Sequence, residues 1–322
     1  MSSNDSLAEI VRALIEKTDE SQPRYESVDE WWPVFRDIRR SWNEPIDQAL
    51  IGGVTADRVG YAFAAGYQAA LRRMDPDLPE DRICCFSVTE EGGGHPRAVK
   101  ATFTPVAGGG SCKLSGRKKW ATLSSAGGFA LVVASTGTDA EGLNQLRVAR
   151  VDLGAPGVKV MPMPATAFVP EIVHCRLEFD DVRVNADQFL PGDGYTHYVR
   201  PFRTLEDTHV GAGVLAYVLA ISFRYDWPRE LREELLHLIV SLRGLAMADP
   251  SSPPIHVALE GFLRARGALL ERCQPCWNDV DESVRQRWQR DAALISIAAN
   301  VRGQRTKTAW ERLGKETADR RR

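Results

Sequence analysis

Charge of one sign is what this sequence most conspicuously lacks. Its 41 Lys and Arg against 43 Asp and Glu leave a formal net charge of −2, which gives no electrostatic reason to expect a nucleic-acid partner. The terminal Arg320-Arg321-Arg322 run is too short to alter that balance and reads as a solvated tail. Long apolar runs are missing too. The longest nearly apolar stretch, Val210 to Phe223, falls short of the roughly 20 residues needed to span a bilayer, so it predicts a buried helix and no membrane span. No cationic leader with an apolar core and cleavage site opens the sequence, which reads as cytoplasmic. Six cysteines in 322 residues do not make a secreted-type disulfide framework. Cys84 and Cys85 are adjacent, a poor geometry for a mutual bridge. Cys273-Gln274-Pro275-Cys276 has redox or zinc spacing, but no second pair completes a ligand set, so it reads as an incidental pair near a helix end. The histidines form no metal constellation: His209, three residues after Glu206, makes one pair, and with His197 it reads as structural or solvated. Neither a Gly-x-Ser-x-Gly elbow nor a Gly-rich strand-to-helix turn of the dinucleotide type is present.

What is present falls into three regions by period. The first eighty residues are helical. Leu7, Ile10, Val11, Leu14 and Ile15 recur at helical spacing after the capping candidates Asp5 and Ser6. Trp31, Phe35, Ile38 and Trp42 make a second apolar stripe. Val59, Phe63, Tyr67, Ala70, Leu71 and Met74 make a third, in a longer helix with Thr55 as its expected cap. From about Asp81 the period becomes two. Val173, Cys175, Leu177 and Phe179 alternate with polar residues, Val158 and Val160 flank Lys159, and Phe129 to Ala134 reads as a strand buried on both sides. Gly108-Gly109-Gly110 predicts a hairpin connection. Short strands with turns between them predict an antiparallel barrel or sandwich. Beyond Pro201 helices return, with stripes at Leu231, Leu235, Ile239 and Leu242 and at Leu259, Phe262, Leu263, Leu269 and Leu270. Pro250 to Pro254 breaks these two apart, and one last helix is expected from about Glu282 past Trp310. The fold class is α+β, divided at about 1–80, 81–195 and 196–322.

Two segments of the β region carry more than strand connections require. In Phe86-Ser87-Val88-Thr89-Glu90-Glu91-Gly92-Gly93-Gly94-His95, a strand runs into a hydroxyl and three glycines, which let backbone N–H groups approach a ligand. In Ser115-Gly116-Arg117-Lys118-Lys119-Trp120-Ala121-Thr122, the Trp and the Thr two positions apart face the same way on one strand. Side by side they offer an aromatic wall and hydroxyls to a planar, polar-edged ring. Each alone also reads as a turn or a core residue.

In this order, the segments resemble the acyl-CoA dehydrogenase family over about Val59 to Leu313. The resemblance rests on Thr89-Glu90-x-x-x-Gly94, Gly116-x-Lys118-x-Trp120-x-Thr122, Phe179-Asp180-Asp181-Val182-Arg183-Val184, Leu190-Pro191-Gly192-Asp193-Gly194-Tyr195 and Gly211-Ala212-Gly213. It implies a shortened, divergent member with a helical N-terminal domain, a β-barrel middle domain and a helical-bundle C-terminal domain. It also implies FAD, seated by Val88, Thr89, Trp120 and Thr122, and α,β-dehydrogenation of an acyl thioester. Most of the family places its base near the C-terminus, where this sequence has Arg312-Leu313-Gly314 and a charged tail. A minority places a Glu five residues before a small-residue triplet, and Glu206 holds that position before Gly211-Ala212-Gly213. Its bland reading is an acidic helix start favoured by the dipole. Asp207 stands where the family commonly has Arg, His95-Pro96 where it has Ser-Asp, and no Arg-x-x-Phe-Gly stretch occurs near Arg243. An electron-transfer flavoprotein as acceptor and a homodimer or homotetramer follow by the same resemblance. A catalytically silent partner subunit or acyl-binding module, and a flavin oxidase or monooxygenase, are the alternatives on one fold.

Overall fold

The structure, a computed structural model, describes residues 6–18, 23–295 and 299–314; Asp5 and Arg320-Arg321-Arg322, singled out above, lie outside the described residues. The chain divides into two compact units. One comprises Met1–Arg73, Ala167–Val169 and Thr204–Arg322, the other Met74–Thr166 and Pro170–Arg203.

The first unit is helical. Helix α1 (Leu7–Thr18) opens with a reciprocal cap, the Glu9 N–H donating to Ser6 Oγ at 3.2 Å and the Ser6 N–H to the Glu9 carboxylate at 2.8 Å. It buries Ile10 and Leu14 while Leu7 and Ile15 stay exposed. Helix α2 (Val28–Ser41) buries Trp31 and Phe35. Helix α3 (Pro45–Val54) leaves no trace in the period, because Ile46 to Val54 are all buried and no polar face marks a repeat. Thr55 closes α3 instead of capping the helix after it: its hydroxyl donates to Ile51 O at 2.9 Å, and α4 (Val59–Met74) begins four residues on.

Helix α5 (Arg200–Arg224) contains the apolar stretch from Val210 as a buried helix. Among the described residues no helix is long and apolar enough to cross a membrane. The Gly211-Ala212-Gly213 triplet is a seam of close approach. A Cβ at Gly53 of α3 would lie 2.1 Å from Gly213 O, and one at Gly213 would lie 2.4 Å from Ala62 O of α4. Helices α6 (Arg229–Met247) and α7 (Pro253–Arg272) bury the two leucine-rich stripes, apart from the half-buried Leu263. The expected last helix is two: α8 (Glu282–Asp291) passes into a 3-10 turn at Ala292–Ile295, and α9 spans Ala299–Arg312. The fully buried Asp291 accepts the Val169 N–H at 2.7 Å, a tertiary contact that helical periodicity does not encode.

The second unit holds one seven-stranded sheet built from β1 (Cys84–Ser87), β2 (Thr102–Pro105), β3 (Ser111–Thr122), β4 (Phe129–Thr138), β5 (Asn144–Asp152), β6 (Val158–Pro162) and β7 (His174–Asn185). The order is β1-β4-β2-β3-β7-β6, with β5 also on β4. The glycine hairpin joins β2 to β3 as expected, all three glycines at positive φ. The pairing is mixed where an antiparallel sheet was expected, because β1 runs parallel to β4 and Thr102 of β2 meets Ser135 of β4 in parallel. Since β5 takes the length of one edge of β4, β1 and β2 share the other. The sheet curls about a core that includes Phe103, Leu114, Val132, Leu177, Phe179 and Val184. The chain beyond β7 returns to β5 through an Ala149–Phe189 bridge.

Candidate functional site

The two segments singled out in the sequence, which lie 28 residues apart along the chain, are held together by a buried ion pair. Lys118 Nζ donates to Glu90 Oε1 at 2.7 Å and to Val88 O at 3.2 Å, and both side chains are almost wholly buried. The Lys119 N–H donates to Thr89 O at 2.8 Å, so backbone and side chain clamp the same three residues. Glu90 is satisfied on its far side by the Lys100 N–H at 2.8 Å and the Ala101 N–H at 3.0 Å. Burial pulls the Lys118 ammonium below its ordinary range, and the Glu90 carboxylate opposes that shift. Such a pair holds its geometry because removing either partner leaves the other desolvated. Gly116 belongs to the same construction. At φ +139 its missing Cβ would lie 2.6 Å from Ala101 Cα, so β3 crosses this neighbour too closely for a side chain.

What the clamp presents is a hydroxyl and an indole. Thr89 is half-buried, and its Oγ1 makes no hydrogen bond among the described residues. A Cβ at Gly94 would sit 3.4 Å from that oxygen, so glycine leaves its approach open. Trp120 is 46% exposed and adopts φ +62, a left-handed conformation unfavourable to a bulky side chain. It occupies a bulge: between the pairs Lys118–Leu177 and Ala121–Cys175, two residues of β3 oppose one of β7. Thr122 is buried, and its Oγ1 lies 3.2 Å from His174 Nδ1.

His174 was passed over in the sequence as one polar member of an alternating strand. Its ring meets Trp120 edge-on at 5.5 Å and 74° while its Nδ1 engages Thr122, which gathers both predicted residues around one imidazole. Burial lowers its pKa, so the ring is neutral near pH 7. Only the cross-strand pairing of Thr122 with His174 could have revealed it, and that register is not written in either strand alone.

Glu206 lies in the helical unit, half-buried on α5. The neighbouring Asp207 is an internal counter-ion, at 2.8 Å from both Arg302 and Arg305 of α9. Arg243 is occupied by the buried Asp47 of α3 at 2.7 Å. His209 is fully buried with Nδ1 on Leu205 O at 2.8 Å, a structural histidine. His197 caps its own turn against Asp193, and the described residues hold no cluster of three or more metal-ligating side chains. All six cysteines are free thiols. Burial pushes the Cys273 thiol up to about 12, the opposite of what a redox nucleophile needs.

Residues 85–182 match the family model of the acyl-CoA dehydrogenase middle domain, a span that opens inside β1 and closes inside β7. No curated protein matches the chain in sequence. Among solved structures, butyryl-CoA dehydrogenase from Megasphaera elsdenii superposes with a TM-score of 0.68 at 14% identity, over 96% of this chain and 99% of that one. A structure of PigA with FAD and proline gives 0.67 at 13% identity, over 98% and 100%. The prolyl acyl carrier protein oxidase AnaB gives 0.65 at 13% identity, over 97% and 100%. The chain thus carries an acyl-CoA dehydrogenase middle domain at residues 85–182 and has the α+β fold of the acyl-CoA dehydrogenases.

Proposed function

We propose that the protein is an FAD-dependent oxidoreductase that removes the α and β hydrogens of an acyl thioester. The observation that carries the reading is the buried Lys118–Glu90 clamp, which ties the segment bearing the unpartnered Thr89 hydroxyl to the strand whose indole is held exposed at φ +62. That donor set fits an isoalloxazine. Val88 and Thr89 would take the polar ring edge, Trp120 would lie against the ring, and Thr122 would contact it from beside His174. FAD, when bound, supplies the acceptor for the β-hydrogen and its two electrons. The remaining task is to remove the α-proton, which the thioester carbonyl acidifies, and it falls to the Glu206 carboxylate. The product is the α,β-unsaturated thioester. The three-part division at 1–80, 81–195 and 196–322, a separate flavoprotein acceptor and a homodimer or homotetramer belong to this proposal.

The test begins with the visible spectrum of the purified protein before and after FAD, then with acyl-CoA added. Two flavin bands that bleach with substrate support the reading. Glu206→Gln should keep the bands and slow bleaching by about 10²–10⁴-fold, the usual contribution of a positioned base. A variant that bleached at the parental rate would remove Glu206 from the mechanism. A second reading has support in the likeness to the prolyl acyl carrier protein oxidase AnaB: an oxidase acting on a carrier-bound acyl group. Rapid reoxidation by air, with acyl carrier protein preferred over CoA, would select it. A protein that takes up no FAD would leave the silent-partner reading.

A further inference from the structure

We propose that the helical unit contains a second ligand site, for a small oxyanion (a carboxylate or phosphate group), formed by Arg266 of α7 and by Arg302 and Arg305 of α9 where they converge on α5. This inference does not depend on the flavin reading.

The cations are tied to shared acceptors. Arg302 Nε and Nη2 reach Asp207 Oδ1 at 2.8 Å, and Arg305 Nη1 reaches Asp207 Oδ2 at 2.8 Å. Arg305 Nη1 also donates to Thr204 Oγ1 at 3.3 Å. The Ile295 carbonyl accepts from Arg302 Nη1 at 2.9 Å and from Arg266 Nη2 at 3.4 Å. Two guanidiniums therefore share one carboxylate, and the third meets a backbone carbonyl that Arg302 also uses. Glu260 of α7 accepts from Thr306 Oγ1 at 3.3 Å and makes no ion pair with any of the three among the described residues.

Two features say the group is unfinished. Asp207 pairs with Arg302 and Arg305, and among the described residues no carboxylate forms an ion pair with Arg266. Arg266 is only 8% exposed, and its pKa is pulled down to about 10 by burial and then by Arg302, with Asp207 opposing. It remains protonated at pH 7. Second, Arg266 Nε, Arg305 Nε and Arg305 Nη2 are buried donors without a partner among the described residues. Unpaired buried donors and excess buried charge are both costly, and guanidinium N–H groups match the spacing of two oxygens on one carbon or phosphorus. An oxyanion answers both deficits at once: it supplies several acceptors and the missing negative charge. Arg rather than Lys is the residue such recognition uses, since its planar fork is pre-organised for two oxygens. Asp207, unusual at its position in the sequence, then serves to orient Arg302 and Arg305.

The test is binding of two probes, inorganic phosphate and succinate, each against chloride at equal ionic strength. Calorimetry and thermal unfolding are read on the full chain. A saturable exotherm and a rise in Tm with either probe, absent with chloride, is the expected result; whichever probe binds more tightly identifies the source as phosphate or carboxylate. Arg266→Met and Arg305→Gln should each weaken that probe at least tenfold, while Arg305→Lys, keeping charge without the fork, should lie between them and the parent. If Arg266→Met does not fold, Arg305→Gln alone decides, its site being less buried. Equal responses to all three anions, or unchanged affinity in the folded variants, would overturn the proposal and leave the arginines as internal struts for α9.

Discussion

At the scale of single residues, the unusual members of the chain are those whose surroundings oppose their chemistry. His209 is the clearest. Complete burial lowers its pKa to about 4, its Nδ1–H donates to the Leu205 carbonyl, and its Nε2 has no partner among the described residues. The folded state keeps it neutral, whereas the unfolded chain protonates it near 6.5. Stability is unaffected above both values. As pH falls below about 6.5 the unfolded state takes up a proton that the folded state refuses, at about 1.4 kcal/mol per pH unit. His209→Leu should therefore flatten the acid limb, and the difference in urea stability between pH 7 and pH 5 should shrink by about 2 kcal/mol. Parallel curves for parent and variant would show that His209 titrates normally. Trp120 is opposed by its backbone instead of by its solvent. Trp120→Gly relieves the left-handed strain, worth about 1 kcal/mol, so Tm should hold or rise. FAD affinity should nevertheless fall at least tenfold, and if Tm and affinity fell together the residue would be a packing element.

At the scale of elements, legibility depended on whether an element has two unlike faces. β7 shows alternation from Cys175 to Phe179 and resumes it at Val182 after a phase change, where Asp181 at φ +51 accepts from Lys113 and Ser115. Its period could be read in the sequence. α3 could not be, since burial on every side erases the period. Parallel pairing of β1 with β4 was equally hidden, because a strand's own residues do not record which distant strand it meets. The same limit applied at the site. Thr89, Trp120 and Thr122 could be singled out by type and order, but the bond that assembles them, Lys118 to Glu90, joins two positions with no local relation. Its strength is testable. Lys118→Met leaves the Glu90 carboxylate buried without its cation, which should cost about 3–5 kcal/mol in urea unfolding and loosen Val88 to Glu90. The double variant Lys118→Met with Glu90→Leu should recover a good part of that loss yet bind FAD poorly if the clamp also positions Thr89. Recovery of both would mean that the clamp is needed for stability alone.

At the scale of the whole molecule, the two ends of the sequence form one body. Helices α1 to α4 and the helices from Thr204 onward belong to a single unit although the entire β sheet intervenes in the chain. Period alone separates the helical regions but cannot say that they share a core. The Asp47–Arg243 pair is a direct link: α3 and α6 are joined by two hydrogen bonds, at 2.7 and 2.8 Å, with Asp47 wholly buried. A second link is the seam of Gly53, Gly213 and Ala62, where backbones approach too closely for any added side chain. Two such links imply that the first and last segments unfold together. Arg243→Met takes the guanidinium from a desolvated carboxylate and should destabilise the helical unit by about 3–5 kcal/mol, whereas Arg243→Met with Asp47→Leu should be far milder. Hydrogen exchange then reports the coupling. In Arg243→Met, protection should fall alike in α1 to α4 and in α6 to α7, because a cooperative unit opens as one. Loss confined to α6 and its neighbours, with α2 and α4 as protected as before, would mean that the N-terminal helices hold a core of their own.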